Sequence, residues 1–134
     1  TALKIAALRE FGQAYGTAFQ MQDDLLDMTS TEAALGKPVG NDLTEKKITI
    51  PLILALGGGD PEFRADVERF YAGDDTSPAQ IAGVIAGIAR QGGFEKTKAL
   101  IAEYIERAKA ALAPIGNAPA RAEFVAVADA LLVV

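Results

Sequence analysis

The chain has 134 residues, of which 50% are hydrophobic and 23% charged, and its formal net charge is −5. This composition excludes a wholly disordered chain, and the acidic balance offers no basic surface for nucleic acid. Because the sequence contains neither Cys nor His, it excludes disulfides, thiolate nucleophiles, imidazole bases and histidine-bound metals. Catalysis would have to rest on carboxylates, lysines, hydroxyls or a hard cation held by oxygen.

A chain of this length is expected to form one domain, spanning residues 1–134. The longest apolar run, residues 48–56, contains Pro51 and is far shorter than the ~20 residues that cross a bilayer. No secretory signal opens the sequence. We therefore expect a soluble, cytoplasmic protein with no transmembrane segment and no nucleic-acid partner.

The first predicted helix runs from Ala2 to about Met28, where apolar residues recur at helical spacing without an internal proline. Gly12 and Gly16 lie four residues apart within it, and each costs ~1 kcal/mol relative to alanine. A second helix backbone passing close to these glycines would explain the pair, so we expect this helix to be central. A polar stretch to Lys47 then predicts a loop of about twenty residues, a length that usually indicates a function.

Residues 48–50 have β-propensity, but the sequence offers no second strand with which they could pair. Pro51 therefore predicts the first turn of a short buried helix that stops at residues 57–59. Further along the chain, an N-cap followed by proline at residues 60–61 and a capping box at residues 77–80 indicate where helices begin. Prolines and glycines mark the other helix boundaries. The helices they predict run from Pro61 to Gly73, from Ser77 to near Gly92, from Phe94 to Ala113 and from Pro119 towards Val134.

The most informative segment is FQMQDDLLD, residues 19–27. At 100° per residue Asp23 and Asp27 share one face of the helix, with Gln20 a turn earlier and Asp24 beside them. Such repulsion near a helix C-terminus costs on the order of 1–3 kcal/mol, which a bound cation would offset. Oxygen ligands without His or Cys suit Mg²⁺, Mn²⁺ or Ca²⁺ rather than zinc. The alternative is a solvated acidic helix end, as in many isolated DDxxD sequences.

Lysines follow this acidic segment in GKPVGNDLTEKK, residues 36–47. Lys37, between a glycine and a proline, is placed to clamp a phosphate. Lys46 and Lys47 give a second positive point before the short buried helix, although plain surface solvation is the favoured interpretation of Lys46. Carboxylates followed by lysines suit a site that grips a metal–diphosphate from two sides.

Together these motifs resemble the second aspartate-rich region of the trans-isoprenyl diphosphate synthases (polyprenyl synthetases), whose pattern is FQxxDDxxD, GKxxGxD and KxTxP. The match is contiguous over residues 19–51. The resemblance implies an all-α antiparallel helical bundle of the isoprenoid synthase type, of which this chain is the C-terminal portion, in an enzyme that is usually a homodimer. It also implies Mg²⁺-dependent head-to-tail condensation of an allylic diphosphate with isopentenyl diphosphate.

The resemblance also assigns roles to the acidic residues. It makes Asp23 the main ligand of one Mg²⁺ and a catalytic residue. Asp24 and Asp27 would support the same ion, largely through metal-bound water. Asp42 matches the acid of GKxxGxD and would help to position the loop.

The remaining roles that the resemblance implies concern the substrates. Lys37 and Lys47 would hold the allylic diphosphate, with Lys37 acting as a catalytic residue, and Gln20 would line the reacting end of the cavity. The sequence departs from the family pattern at Lys46, because a glycine usually precedes the KxTxP lysine. No protein nucleophile is needed for this reaction, which agrees with a chain that lacks His and Cys.

The family's first aspartate-rich motif and its basic residues for isopentenyl diphosphate do not occur in the 134 residues. We therefore expect the chain to be the C-terminal part of a longer enzyme, inactive without the missing N-terminal half. One alternative is a non-catalytic helical subunit of a heteromeric synthase, which the intact acidic motif argues against. The other is a class I terpene cyclase. Those enzymes lack the GKxxGxD and KxTxP segments, which argues against this alternative.

Overall fold

The structure is a computed structural model that describes residues 1–133, most of which lie in helices. The α-helices are α1 (Ala2–Thr29), α2 (Glu32–Leu35), α3 (Asn41–Thr44), α4 (Ile50–Leu56), α5 (Pro61–Ala72), α6 (Pro78–Arg90), α7 (Gly93–Ala111) and α8 (Pro119–Ala130). Short 3₁₀ turns cover Ala113–Ile115 and Leu131–Val133. No strand occurs within the described residues, so the all-α prediction is confirmed.

The contacts divide the chain into two compact units, one of residues 1–22 with the chain from Lys98 onward, the other of residues 23–97. Because the prediction of one domain covers both units, this division does not test it, and it stays a prediction. Val134, towards which the last helix was expected to run, lies outside the described residues. Among the helices of residues 1–133, none combines the length and the apolar character needed to span a membrane.

An aromatic cluster and an ion pair connect helices α1, α7 and α8 within the first unit. Phe11 stacks on Tyr15 with ring centroids 5.8 Å apart, and it meets Phe124 of α8 edge-on at 5.2 Å. Lys109 of α7 lies 3.0 Å from the carboxylate of Asp129 in α8. Such aromatic pairs contribute ~0.5–1.5 kcal/mol beyond the area that they bury.

The close helix approach predicted from the glycine pair of α1 does not occur within residues 1–133. Gly12 and Gly16 are both exposed, and a Cβ atom added to either would meet nothing within 4 Å. The four-residue spacing places the two glycines on one face of the helix, but that face is open. No other helix within the described residues therefore explains the glycine pair.

The second unit has an apolar core built from the end of α1 and from α3 to α6. Its buried members are Met28, Leu43, Leu52, Ala55, Phe63, Val67, Phe70, Ile81, Val84 and Ile88. Burying a large apolar side chain of this kind contributes ~1.5–3 kcal/mol. The short helix predicted at Pro51 is confirmed as α4, which buries Pro51, Leu52 and Ala55.

The predicted N-terminal caps of α5 and α6 are present. Asp60 accepts a hydrogen bond from the N–H of Glu62 at 3.1 Å, and Ser77 accepts one from the N–H of Gln80 at 3.4 Å. The capping box is only half formed, because the N–H of Ser77 donates to Asp75 at 3.0 Å. Each cap satisfies a backbone donor that the first helical turn leaves unpaired.

Helix α7 begins at Gly93, where a side chain would not fit. A Cβ atom at this position would lie 2.5 Å from the backbone oxygen of Pro51, 2.7 Å from Ile88 and 3.0 Å from Ala55. The helix ends at Ala111, two residues before the predicted end, and a 3₁₀ turn follows. Close packing against α4 and α6 thus requires glycine at the start of α7.

Candidate functional site

The segment between α1 and α4 is folded, so the prediction of a structureless loop of about twenty residues is wrong. Helix α2 begins with Thr31, whose hydroxyl accepts a hydrogen bond from the N–H of Ala34 at 3.2 Å. It ends at Gly36 in the left-handed conformation, with φ 69°. Helices of a single turn are too short for an apolar period to show in the sequence, which is why the pattern did not predict them.

Asp27 fixes the start of α3 from the last turn of α1. Its side chain is 1% exposed, and its Oδ2 accepts a hydrogen bond from the N–H of Asp42 at 3.0 Å. Its backbone oxygen accepts a second bond, from the N–H of Gly40 at 2.8 Å. Gly40 is the N-cap residue of α3 and has no side chain to satisfy the first turn. Asp27 therefore caps the start of α3 in place of Gly40.

Lys37 supplies the positive charge beside this buried carboxylate. Its Nζ lies 3.5 Å from Oδ1 of Asp27. Within the described part of the chain, that Oδ1 atom has no hydrogen-bond partner, so the contact is an ion pair without hydrogen-bond geometry. A buried carboxylate is costly unless it is paired. Lys37 is consequently held next to the acidic end of α1 while its own side chain stays 42% exposed.

The two other acids of the motif are more accessible than Asp27. Asp23 is exposed and Asp24 is half-buried. No group of three Asp or Glu residues within residues 1–133 converges as a ready-made metal cage. Mg²⁺ commonly takes one or two carboxylates and keeps several waters for the rest of its shell. The exposed carboxylate of Asp23 therefore fits Mg²⁺ as part of an open site, whereas both oxygens of Asp27 face protein groups.

Gln20, the remaining residue predicted from this helix, lies in the first unit and is exposed. The substrate-lining role expected of it stays a prediction, as do the metal roles of Asp23, Asp24 and Asp27.

Lys47 lies at the other end of α3 and pairs with two acids. Its Nζ is 2.7 Å from the carboxylate of Glu45 and 3.9 Å from Oδ1 of Asp42. The pKa of Lys47 is raised, first by its hydrogen bond with Glu45, and the pKa of Glu45 is lowered by the same bond. Asp42 thus lies between the Asp27 carboxylate, which its N–H contacts, and the Lys47 ammonium.

The prediction that Lys46 is a solvated surface residue is wrong. Its side chain is half-buried, and its Nζ donates hydrogen bonds to the backbone oxygens of Phe70 and Gly73. The same ammonium lies 3.8 Å from the centroid of the Phe70 ring. These partners lie at and just after the end of α5, 24 and 27 residues further along the chain, so local sequence could not reveal them.

The pKa of the Asp42 carboxyl group reflects its burial and the charges around it. Burial raises its pKa above 3.8, and the nearby carboxylate of Asp27 raises it further. Lys47 and Lys37 oppose this shift, while Asp23 adds to it. Sequence reasoning gave Asp42 only a role in positioning the loop. The structure places it in the same electrostatic cluster as the predicted site residues.

We expect the side-chain carboxyl of Asp42 to titrate above 3.8 in a ¹³C NMR experiment on the folded chain. Lys47→Met should raise this pKa further, and Asp27→Asn should lower it, because each removes one of the charges described. Since the folded state holds this proton more tightly than the unfolded chain does, the contribution of Asp42 to the free energy of unfolding falls as pH rises from 3.8 to the raised pKa. A midpoint below 3.8 would contradict this electrostatic description.

Comparison with known proteins agrees with these features. The polyprenyl synthetase family profile matches residues 1–88. Component 2 of heptaprenyl diphosphate synthase from Geobacillus stearothermophilus is 39% identical over 98 residues, which cover 73% of this chain and 29% of that protein.

Solved structures show the same fold. The polyprenyl synthase from Caulobacter crescentus CB15, in complex with calcium and isoprenyl diphosphate, matches with a TM-score of 0.89 and 33% identity over 98% of this chain and 40% of that one. The geranylgeranyl pyrophosphate synthase from Corynebacterium glutamicum, in complex with isoprenyl diphosphate and magnesium, matches with a TM-score of 0.86 and 32% identity over 98% and 38%. The chain thus spans well under half the length of these proteins. The all-α isoprenoid synthase fold predicted from the resemblance is confirmed, and the chain belongs to the polyprenyl synthetase family.

Proposed function

We propose that the chain forms the second aspartate-rich part of a Mg²⁺-dependent trans-prenyltransferase. The reaction is the head-to-tail condensation of an allylic diphosphate with isopentenyl diphosphate. The observation that carries this proposal is the arrangement around buried Asp27, which holds Lys37 on one side and the start of α3 on the other. The accessible carboxylate of Asp23 lies one helical turn away, so acids and lysines share one region of the second unit.

The accessible acids would hold the metal. Asp23 would be the main ligand, with Asp24 and Asp27 supporting it largely through metal-bound water. Mg²⁺ in this position would neutralise negative charge on the diphosphate leaving group. Asp27 contributes mainly by orientation, because its oxygens face the N–H of Asp42 and the ammonium of Lys37. Gln20 would line the reacting end of the substrate cavity.

The lysines would hold the diphosphate from the opposite side. Lys37 and Lys47 keep their ammonium groups partly exposed, with side-chain exposures of 42% and 58%. Preorganised positive charge near the leaving oxygens lowers the barrier to breaking the allylic C–O bond, in which the diphosphate keeps the electron pair. The double bond of isopentenyl diphosphate then attacks the allylic carbon, and the released diphosphate takes the proton that is lost. No His or Cys is required.

Two solved relatives support this assignment, since one is described with calcium and isoprenyl diphosphate and the other with magnesium and isoprenyl diphosphate. The chain spans 40% and 38% of those proteins, so we propose that it acts together with an N-terminal half that carries the first aspartate-rich motif. By itself the chain should not transfer prenyl groups. We further propose that the assembled enzyme is a cytoplasmic homodimer.

A second candidate is a subunit of a two-component synthase. It is favoured by one observation, the 39% identity to a protein named component 2 of heptaprenyl diphosphate synthase. In that case prenyl transfer would need a second, different polypeptide as well as this one. The intact acids Asp23, Asp24 and Asp27 indicate that this chain would belong to the metal-binding component.

Calorimetric titration of the chain with inorganic pyrophosphate tests the proposed site. We expect binding in the presence of Mg²⁺ and its loss in EDTA, because the metal links the carboxylates to the phosphate oxygens. Asp23→Asn and Lys37→Met should each raise the Kd about tenfold or more. Asp74→Asn, at an exposed acid in the turn before α6, is the matched control and should leave the Kd unchanged. Binding that is insensitive to both EDTA and Asp23→Asn would overturn the proposal.

A further inference from the structure

The end of α3 has an unusual residue in its bend. Lys46 has φ 59° and is the only non-glycine residue with positive φ among those that the structure describes. Its N–H donates to the oxygen of Leu43 at 2.9 Å, and the N–H of Lys47 donates to the oxygen of Asp42 at 2.8 Å. This pair of bonds is the Schellman pattern, in which glycine normally occupies the left-handed position. The lysine therefore stands where the backbone favours glycine.

The same bend brings Lys47 against Asp42. In a Schellman motif the residue after the left-handed position lies next to the residue three before the helix end, and the two side chains usually make an apolar contact. Here that contact is the ion pair between Lys47 and Asp42, at 3.9 Å. The position of the Lys47 ammonium consequently depends on the geometry of the bend.

Contacts made by two side chains, Lys46 and Tyr71, attach this bend to the end of α5. The ammonium of Lys46 donates to the oxygens of Phe70 and Gly73, the latter at 3.0 Å, and lies over the Phe70 ring. The hydroxyl of Tyr71 donates to the backbone oxygen of Lys47 at 2.6 Å. The last carbonyls of a helix lack partners within the helix and carry its negative pole, so an ammonium is well placed there. We call these contacts the Lys46 tether.

We propose that Lys46 is a positioning residue, which acts through the tether to hold Lys47 in place for a diphosphate. This inference rests on the proposed function for its ligand, although the tether itself does not. A glycine in the bend would allow the same backbone turn without any side-chain anchor. With lysine there, the segment is fixed to α5 before a ligand arrives, and less freedom is lost when the diphosphate binds.

The tether can be tested without any ligand, by amide hydrogen exchange on the chain. Lys46→Gly keeps the left-handed bend accessible and removes the ammonium. We expect the amides of Lys46 and Lys47 to exchange about tenfold faster in this variant, while α6 and α7 exchange as before. Tyr71→Phe should act in the same direction and less strongly. Unchanged exchange at residues 41–47 in Lys46→Gly would overturn the proposal.

The functional consequence is measured by titration with Mg²⁺ and inorganic pyrophosphate. Lys46→Gly should raise the Kd about fivefold, and Tyr71→Phe about threefold although it removes no charge. Lys46→Arg, which keeps a donor, should recover part of the affinity. Arg64→Gln removes an exposed charge from α5 and is the matched control, with an expected change below about twofold.

The outcomes separate the tether from the proposed function. If Lys46→Gly and Arg64→Gln weaken binding equally while Tyr71→Phe does not, a general charge effect explains the loss and the positioning role is wrong. If the unaltered chain does not bind pyrophosphate with Mg²⁺, the proposed function and the diphosphate role of Lys47 both fail. The exchange measurement still decides in that case whether Lys46 holds the bend.

Discussion

Replacing Asp23 with alanine in the assembled synthase is expected to lower kcat by a factor of ~10² or more, the usual effect of losing electrostatic stabilisation of a leaving group. Asp23 is exposed at the end of α1, whereas both oxygens of Asp27 already face protein groups. Asp23 is therefore the acid with most freedom to take a metal ion. Steady-state rates with both diphosphates at saturating Mg²⁺ would measure the effect.

The control for this prediction is Asp74→Ala. Asp74 is also an exposed acid next to a second Asp, but it lies in the turn between α5 and α6. Removing its charge should change kcat by less than about twofold, as most surface substitutions have little effect. A near-native rate for Asp23→Ala, or equal losses in the two variants, would show that the metal assignment is wrong.

Gly93→Ala is expected to lower the free energy of unfolding by ~3 kcal/mol or more, a large effect for one methyl group. The added Cβ would lie 2.5 Å from the backbone oxygen of Pro51 and 2.7 Å from the side chain of Ile88. A backbone oxygen in a short buried helix cannot rotate away as a flexible side chain can. The start of α7 would have to move from α4, which would expose part of the apolar core. Chemical denaturation would measure the loss.

Gly83→Ala in α6 provides the matched control. Gly83 is exposed, and a Cβ atom there would meet nothing within 4 Å. Alanine is the better helix former by ~1 kcal/mol, so this variant should be slightly more stable than the unaltered chain. If Gly93→Ala stayed within about 1 kcal/mol of the unaltered chain, the close packing described at the start of α7 would be wrong.

The three carboxylates of the acidic motif have different surroundings in the structure, which reduces their mutual repulsion. The sequence places three carboxylates on one helical patch, at a cost on the order of 1–3 kcal/mol. In the structure Asp27 is compensated by the N–H of Asp42 and by Lys37, and it serves to hold α3. Asp23 is left as the exposed acid of the motif. The proposed cation would therefore be needed mainly beside Asp23.

Much of the helical pattern could be predicted because its signals are local. Asp60 caps a helix through a residue two positions away, and the proline of α4 stands in that helix's own first turn. Family motifs likewise identified residues 19–51 without any structure. Features of this kind depend on neighbours within one or two turns, and the sequence shows those neighbours directly.

Features that depend on distant partners were not predictable in this way. The capping of α3 by Asp27 joins residues 15 apart, and the contact of Lys46 with Phe70 joins residues 24 apart. The glycines of α1 show the converse, because their spacing suggested a close neighbour that is not found within residues 1–133. The contacts that hold the predicted site residues in place therefore became visible only in the structure.

A crystal structure of the chain grown with Mg²⁺ and a bisphosphonate would test the central claim most directly. We predict an ion about 2.0–2.1 Å from a carboxylate oxygen of Asp23, as is usual for Mg²⁺. The phosphonate groups should lie between this ion and the ammonium groups of Lys37 and Lys47. Carboxylates of Asp23 and Asp24 surrounded only by solvent, with the bisphosphonate bound elsewhere, would contradict the account.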